Sequence, residues 1–393
     1  MELDKMEVSD LDVYEKLGVP KIINAAGTYT AIGASRMSSE TLRVLTEAAK
    51  WNVDIRVLHN TLNQRIAEHT HNEAAYICNS CSAAIYLGVA ACISKHYNRE
   101  FNALTREQIA CCEVIAMWGQ HFQYDQIVEQ LGAKLRFVGY PNMYTPIDNK
   151  ELEAVYNENT VCGYFVPLTP RGYYGEGCMN LENFLISLHN HNVPLLVDCA
   201  AQLPPKSNLW EYTNMGADIV CFSGGKDLRG PQASGLMLGK KAYIEIVSSI
   251  GFPNLGYGRM MKIGREEMIA LYSALCQYLE ADEDARKDSC ERQVEILISG
   301  LKVAKHFSAE RSWPNQAGQP LPRGFVKILD NSVKAEQLRK MLLNGTPSIF
   351  CYSENKNGVY INPMCLEAAE MEKIVLRLLE IDQELSQLSN EGE

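Results

Sequence analysis

IVCFSGGKDLRGPQ, residues 219–232, joins a short apolar run to a turn that contains two glycines and a lysine. Similar apolar runs recur between residues 73 and 239, and longer amphipathic segments separate them. This alternation predicts parallel strands joined by crossover helices. Because the runs are apolar on both faces, helices should cover both sides of the sheet and form a three-layer α/β domain.

The predicted elements of this domain follow from the apolar runs and the amphipathic segments between them. The strands are predicted at 74–78, 113–117, 134–138, 163–166, 195–198, 219–222 and 236–238. The helices between them include 82–94, 126–131 and 181–190.

The pattern changes after residue 264, where apolar residues recur at helical spacing and a charged stretch follows. Short strands are then predicted at 324–329, 348–352 and 359–361, with helices at 334–343 and 366–385. We therefore expect three parts: an N-terminal segment, 1–45, that packs with the small domain; a large domain, 46–263; and a small α+β domain, 264–393.

Composition restricts the function classes. The 393 residues include 46% hydrophobic and 22% charged residues, which is typical of a folded globular protein. The net charge of -11 disfavours nucleic-acid binding. No apolar run approaches the roughly 18 residues that a membrane span requires, and the acidic first 12 residues do not resemble a signal peptide. We expect a cytosolic protein that binds neither nucleic acid nor membrane.

The 13 cysteines are odd in number and lie mostly in apolar segments, so we expect reduced thiols. Cys78 and Cys81 form a CxxC pair, but no second pair follows at zinc-site spacing. We predict no metal site.

In open α/β sheets, ligands bind beyond the carboxyl ends of the strands. Ser80 and Ser82 follow one predicted strand and either cap a helix or form an anion site with its amides. His121 follows another strand, where it either stacks on a planar ligand, serves as an acid or base, or does neither. Asp198 ends a strand as a turn former or as the partner of a cation. Lys226 either forms an imine, binds phosphate or is solvated.

Together these positions suit pyridoxal 5'-phosphate. This cofactor needs a phosphate site, a surface for its ring, a carboxylate that keeps the pyridine nitrogen protonated, and a lysine that forms a Schiff base.

Four stretches carry a resemblance to a known family: IINAAGTYT (22–30), VDCAAQLPP (197–205), FSGGKDLRGPQ (222–232) and GRMMKIGREE (258–267). They resemble the selenocysteine synthase-like family of pyridoxal-phosphate enzymes, over roughly residues 21–268. This resemblance implies the aspartate-aminotransferase fold (fold type I), with a mainly parallel seven-stranded sheet. It also implies homodimers or larger homo-oligomers, with active sites at subunit interfaces.

The resemblance also implies roles for individual residues. Lys226 would form the Schiff base, Asp198 would hold the pyridine nitrogen, and His121 would stack on the ring. The phosphate would lie at Ser80, Cys81, Ser82 and Ser223. The remaining candidates, for the cofactor hydroxyl, a neighbouring subunit or an anionic substrate, are Gln202, Arg229, Arg259 and Lys262.

One departure concerns the substrate. Family members place an arginine, which holds a substrate carboxylate, near the position of Cys351 or Tyr352, and this chain has none there. Either another residue such as Arg259 replaces it, or the substrate differs. The short segment before residue 21 and the net charge disfavour a tRNA substrate.

The resulting expectation is a lyase of the ammonia-lyase type. It would catalyse α,β-elimination on a small amino acid or amino-sugar acid, possibly phosphorylated, such as D-glucosaminate 6-phosphate. Two alternatives stay open. The first is a non-catalytic protein that uses the fold for binding or regulation. The second is a selenium- or sulfur-transferring enzyme, which would need a reactive thiol such as Cys81 or Cys199.

Overall fold

The computed structural model describes residues 12–140, 146–167 and 177–391. Its strands are β1 (Ile22–Asn24), β2 (Ala74–Cys78), β3 (Glu113–Met117), β4 (Lys134–Val138), β5 (Thr160–Phe165), β6 (Leu195–Asp198), β7 (Ile219–Ser223), β8 (Gly235–Gly239), β9 (Phe307–Ser312), β10 (Arg323–Ile328), β11 (Ser348–Phe350), β12 (Tyr352–Asn355) and β13 (Gly358–Ile361). Its helices are α1 (Val13–Lys16), α2 (Ser39–Ala49), α3 (Ile55–His69), α4 (Cys81–His96), α5 (Arg106–Cys111), α6 (Gln126–Leu131), α7 (Asn149–Glu153), α8 (Leu181–Asn190), α9 (Asn208–Met215), α10 (Lys241–Ile250), α11 (Arg265–Glu280), α12 (Glu283–Gly300), α13 (Ala335–Leu343) and α14 (Glu370–Glu391).

Seven strands form the main sheet, in the order β2-β8-β7-β6-β5-β3-β4. Strand β8 is antiparallel to both of its neighbours, and the other adjacent pairs are parallel. The predicted mainly parallel seven-stranded sheet is therefore confirmed. Strands β2, β3, β5, β6 and β7 run in the same direction, so the loops that follow them emerge at one edge of the sheet.

Alternation of side chains along the central strands explains the three layers. In β6, Val197 packs into a cluster on one face, and Leu196 packs into a second cluster on the other face. In β7, Phe222 packs into the first cluster and Cys221 packs into the second. Residues of α3, α8 and α11 belong to the first cluster, and residues of α4, α6 and α10 belong to the second. Both faces are covered, as the apolar runs predicted.

The smaller unit has a four-stranded antiparallel sheet in the order β12-β13-β10-β9, and a separate parallel pair, β1-β11. Its core contains fully buried side chains from the pair and from two helices, such as Ile349, Leu338 and Leu378. This is the α+β organisation that the C-terminal pattern predicted.

The division of the chain differs from the expected boundaries at 45 and 263. The larger unit comprises Thr28–Asp284 and Pro314–Pro320, and the smaller unit comprises the described residues of 1–27, 285–313 and 321–393. The first 11 residues of the expected segment 1–45 lie outside the described residues.

Helix α11 accounts for the later boundary, because its apolar stripe belongs to the core of the main sheet. Helix α2 packs on α11, and Ser38 Oγ donates a hydrogen bond to Gln277 Oε1 at 2.8 Å.

Between residues 12 and 391, no described helix is both long enough and apolar enough to cross a membrane.

A buried carboxylate fastens the start of β6 to the loop before β7. Asp218 Oδ2 accepts a hydrogen bond from the Leu195 amide at 2.8 Å and lies 2.9 Å from His189 Nε2. Its Oδ1 accepts a hydrogen bond from Lys240 Nζ at 2.7 Å. Because a buried carboxylate needs such donors, these contacts hold the amino-terminal edge of the sheet together.

We expect Asp218→Ala to lower the free energy of unfolding by about 3 kcal/mol, because it leaves the buried Leu195 amide without its acceptor. Urea denaturation measures this change. Asp288 is exposed on α12, and Asp288→Ala should change the free energy by less than about 0.5 kcal/mol. Equal effects of the two substitutions would contradict the structural role of Asp218.

Candidate active site

The predicted site residues lie after strands whose carboxyl ends share one edge of the main sheet. Asp198 ends β6, and Lys226 follows the neighbouring strand β7. Ser80 follows β2, and His121 follows β3. The sheet order therefore brings together segments that are far apart in sequence, as expected for an open α/β sheet.

The Asp198 carboxylate is buried, with 5% of the residue exposed. Its Oδ1 accepts a hydrogen bond from the Ala200 amide at 3.0 Å and a longer one from Cys81 Sγ at 3.5 Å. Its Oδ2 accepts a hydrogen bond from the Tyr164 hydroxyl at 2.8 Å. The three donors come from the loop after β6, from the start of α4 and from β5.

Sequence reasoning missed Tyr164. Its signal was a phenol in the fully buried strand β5, directly beside the strand that ends in Asp198. Burial, and next the nearby Asp198 charge, raise the pKa of Tyr164 well above its usual range. The hydroxyl therefore keeps its proton and acts as a donor near neutral pH.

Backbone hydrogen bonds within the turn hold Lys226 in place. The Gly224 amide donates to the Ser234 carbonyl at 3.0 Å, and the Gly230 amide donates to the Gly224 carbonyl at 2.9 Å. Ser35 Oγ lies 2.8 Å from the Gly225 carbonyl oxygen and 2.6 Å from that of Lys226. Lys226 is therefore presented from a fixed backbone.

The Lys226 side chain is half-buried, and no described residue forms an ion pair with it. It interacts electrostatically with the Cys81 thiol, which donates a hydrogen bond to Asp198. The structure thus brings Lys226, Cys81 and Asp198 into one cluster.

The two glycines before Lys226 serve the packing of the turn itself. A Cβ atom at Gly225 would lie 2.4 Å from the Cα atom of Gln232, and one at Gly224 would lie 2.1 Å from Ser234 Oγ. Real Cβ contacts are never so short, so the turn closes on residues 230–234 only because both positions lack a side chain.

The turn before α4 has the features of an anion site. Ser80 is the N-cap residue, and its Oγ accepts a hydrogen bond from the Ala83 amide at 3.0 Å. The amides of Cys81 and Ser82 lie in the first turn of α4, where a helix offers its N–H groups no backbone acceptor, and Ser82 is exposed. Backbone donors and the helix dipole favour an anion at such a position, while the Ser80 hydroxyl is engaged in the cap.

Gly235 in β8 supports this turn. A Cβ atom there would lie 2.3 Å from the carbonyl carbon of Ser80 and 2.7 Å from the Cys81 nitrogen. Because both are backbone atoms, a side chain at this position would displace the start of α4.

The Cys81 side chain points to Asp198 and links the start of α4 to the carboxylate. Burial and next the nearby Asp198 charge raise its pKa well above the usual range for a thiol. Burial and then Asp198 raise the pKa of Cys199 in the same way. Neither thiol is activated as a nucleophile in this setting.

His121 is oriented by a buried aspartate that sequence reasoning also missed. Its Nδ1 lies 2.6 Å from Asp125 Oδ2, and Asp125 is 2% exposed. The ring lies edge-on to Trp118 and Phe137, at centroid distances of 5.3 Å and 4.7 Å. Asp125 and the two rings therefore fix the orientation of the imidazole.

Three further predicted site residues are half-buried in the described structure. Gln202 is half-buried, and its Nε2 lies 3.5 Å from the Ala317 carbonyl oxygen. Ser223 ends β7 and is half-buried. Arg229, also half-buried, has a left-handed backbone, with φ at 56°.

Arg259 and Lys262 are exposed on the loop after α10. Neither forms an ion pair with a described residue. Arg259 lies beside an open depression of about 1030 Å³, together with Asn102 and Met260, and none of Lys226, Asp198 and Ser80 lines it. No described contact joins these two cations to the Lys226 cluster.

Within the smaller unit, an arginine lies near the position where the family places one. Electrostatic interactions link Arg339 of α13 to Cys351 and Tyr352. Its Nη2 also forms an ion pair with Glu336 Oε1 at 2.9 Å. Among the described residues, no cluster of three or more His, Cys, Asp or Glu side chains is arranged to hold a metal ion.

Comparisons with known proteins show which proteins the chain is similar to. The family profile of L-seryl-tRNA selenium transferase (SelA) matches residues 185–303. The chain is 28% identical over 381 residues to D-glucosaminate-6-phosphate ammonia lyase of Salmonella typhimurium, covering 94% of this chain and 98% of that protein. The solved structure of a D-glucosaminate-6-phosphate ammonia-lyase superposes with a TM-score of 0.82 at 25% identity, covering 96% of this chain and all of that one. These findings agree in their similarity to the selenocysteine synthase-like family.

The family and its fold depend on pyridoxal phosphate. A 5'-C-glycyluridine monooxygenase-decarboxylase from Streptomyces is 24% identical, over 94% of this chain and 91% of that protein. A cysteine desulfurase from Escherichia coli, with a TM-score of 0.56 and 13% identity, covers 89% of this chain and 92% of that one and shares the fold. The expected type I fold is confirmed.

We expect Gly235→Ala to weaken the binding of pyridoxal phosphate by at least about tenfold, because displaced amides at the start of α4 lose their anion contacts. Titration of the apoprotein, followed by absorbance, measures the affinity.

Gly163→Ala is a matched control in the same sheet. Its Cβ would meet the ends of the Leu188 side chain, 2.4 Å away at the nearest atom, and that side chain can move. This variant should lose stability and keep its affinity. An unchanged affinity in folded Gly235→Ala would contradict the role of the turn.

Proposed function

We propose that this protein binds pyridoxal phosphate and is a lyase that catalyses α,β-elimination. The observation that carries the proposal concerns two groups at the carboxyl ends of adjacent strands, Asp198 at the end of β6 and Lys226 in the turn after β7. Asp198 is a buried carboxylate without a cationic partner among the described residues, and Lys226 is a half-buried amine without an anionic one. An ionised carboxylate left in this state is costly unless a ligand supplies the cation.

The residues present fit the cofactor. A carboxylate has about four acceptor positions, and three donors occupy only part of the Asp198 capacity. One position on Oδ2 remains for a protonated ring nitrogen. The amides of Cys81 and Ser82 suit the phosphate, and the His121 ring suits the face of a planar ligand.

Bound pyridoxal phosphate would supply an electron sink next to the substrate α-carbon. Lys226 Nζ would hold the cofactor covalently, yield its place to the substrate amine, and then take the proton from the α-carbon. Asp198 would keep the ring nitrogen protonated through its charge. The closed turn around Lys226 limits backbone movement, so the amine stays within reach of the proton.

The elimination balances without a further reactant. The substrate loses a proton from its α-carbon and a hydroxyl group from its β-carbon, which leave together as water. The remaining enamine would move a proton from its nitrogen to the β-carbon, and the resulting imine would take up one water, which releases ammonia and leaves a 2-oxo acid. The product therefore has the substrate's carbon skeleton without the amine and the β-hydroxyl.

We propose a small, phosphorylated amino acid or amino-sugar acid as substrate, such as D-glucosaminate 6-phosphate. The relative from Salmonella typhimurium supports this class by its name. Arg229, Arg259 and Lys262 are the candidates for its anionic groups, since Arg gives bidentate contacts and Lys a point charge to phosphate. A further proposal concerns assembly: the chain acts as a homodimer or larger homo-oligomer.

A selenium- or sulfur-transferring activity that uses a cysteine of this chain is less well supported. Burial raises the pKa of both candidate thiols, Cys81 and Cys199, and leaves them protonated near neutral pH. Cys81 also donates to Asp198, so it serves the carboxylate. No observation favours a non-catalytic role over the lyase.

We expect the purified protein to absorb visible light through bound pyridoxal phosphate. Borohydride reduction should fix the cofactor permanently to the protein, and the modified peptide should contain Lys226. Lys226→Ala should lose the covalent adduct and lower ammonia release from D-glucosaminate 6-phosphate by at least about a hundredfold, because it removes the proton-transferring amine. Peptide mapping and an ammonia assay measure the two effects.

Lys241→Ala provides the control, since Lys241 is exposed at the start of α10. It should keep both the adduct and the activity. Full activity of Lys226→Ala would refute the catalytic assignment, and a protein that cannot be reconstituted with pyridoxal phosphate would refute the cofactor as well.

Light scattering of the reconstituted protein tests the proposed assembly. We expect a mass of at least twice the 44.0 kDa of one chain. A monomeric and fully active protein would contradict it.

A further inference from the structure

Tyr164 makes the shortest hydrogen bond to Asp198 among the described residues, and the proposed mechanism does not use it. It lies near the carboxyl end of β5, opposite Leu196 of β6, and is 2% exposed. Its hydroxyl donates to Asp198 Oδ2 at 2.8 Å, which is a normal length for a hydrogen bond between a hydroxyl and an oxygen acceptor.

The two carboxylate oxygens differ in their partners. Oδ1 accepts from the Ala200 amide and from Cys81 Sγ, so both of its lone pairs have donors. Oδ2 accepts from Tyr164 alone among the described residues. Oδ2, the oxygen that accepts the Tyr164 hydrogen bond, therefore has one further acceptor position.

We propose that Tyr164 is a positioning residue that aims Oδ2 of Asp198 at the protonated ring nitrogen of pyridoxal phosphate. This inference rests on the proposed function. Tyr164 acts through Asp198 and touches neither substrate nor cofactor in this assignment. Its hydroxyl fixes the rotation of the carboxylate, since a bond to one oxygen orients the plane of both.

The neutral hydroxyl has a second consequence. A lysine or arginine at this place would cancel the charge of Asp198, whereas a phenol satisfies one lone pair and leaves the charge for the ring nitrogen. Burial favours the protonated phenol, so Tyr164 remains a donor over the neutral pH range.

The test compares two ligands of the apoprotein that differ in one atom. Pyridoxal phosphate has the ring nitrogen, and its 1-deaza analogue has a C–H group there and the same phosphate and aldehyde. If Tyr164 acts through Asp198 on the nitrogen, Tyr164→Phe should lower the affinity for pyridoxal phosphate by about tenfold. It should lower the affinity for the analogue by less than about twofold. Equilibrium titration measures both affinities without any turnover.

Tyr76→Phe is the matched control. Tyr76 is also buried, and its hydroxyl donates to the Phe252 carbonyl at 2.9 Å, away from Asp198. Both variants lose a buried hydrogen bond, so circular dichroism and thermal unfolding should show comparable losses of stability. Only Tyr164→Phe should change the ratio of the two affinities.

A double-mutant cycle completes the test. Asp198→Asn alone should remove the preference for pyridoxal phosphate over the analogue, and adding Tyr164→Phe should then have no further effect on the ratio. Asp198→Asn is informative even if Tyr164→Phe does not fold, because a retained preference in Asp198→Asn would overturn the inference.

The outcomes separate the inference from the proposed function. A wild-type protein that binds neither ligand refutes both. A wild-type protein that prefers pyridoxal phosphate, with a preference that Tyr164→Phe leaves unchanged, keeps the proposed function and overturns the role of Tyr164.

Discussion

The site depends on a buried carboxylate at the end of a central strand. An ionised group at such a depth persists only where hydrogen bonds replace the lost water. Tyr164, Cys81 and Ala200 supply these bonds to Asp198 from β5, from the start of α4 and from the loop after β6. The strand order that makes β5 and β6 neighbours is therefore also the condition for a stable charge at this position.

Local sequence was sufficient to predict much of the sheet. The predicted bounds agree with β3 and β6, because these strands are short apolar runs whose ends coincide with polar residues or turns. Two strands carry no such pattern: β9, whose sequence FSAERS has one buried residue, and β1, which has three residues and depends on its pairing with β11. The boundary expected at 263 differs because α11 presents the same helical pattern whichever unit it packs against.

The same limit applies to the site. The places of Asp198 and Lys226 in the fold are predictable, because a strand end and a glycine turn mark them locally. The contact of Tyr164 is not, since its partner lies 34 positions away and local sequence does not show which polar side chains meet across two neighbouring strands. The glycines before Lys226 mark a turn in the sequence, but their close approach to Gln232 and Ser234 is visible only in the folded turn.

The chemistry of the donors around Asp198 explains why the charge remains useful. A phenol, a thiol and an amide satisfy the carboxylate, and no described lysine or arginine forms an ion pair with it. A resident cation would stabilise the carboxylate and at the same time cancel its field. Neutral donors stabilise it and preserve the field, so the free energy of the uncompensated charge favours a ligand that brings its own positive group. This is the electrostatic state that a carboxylate needs if it is to keep a ring nitrogen protonated.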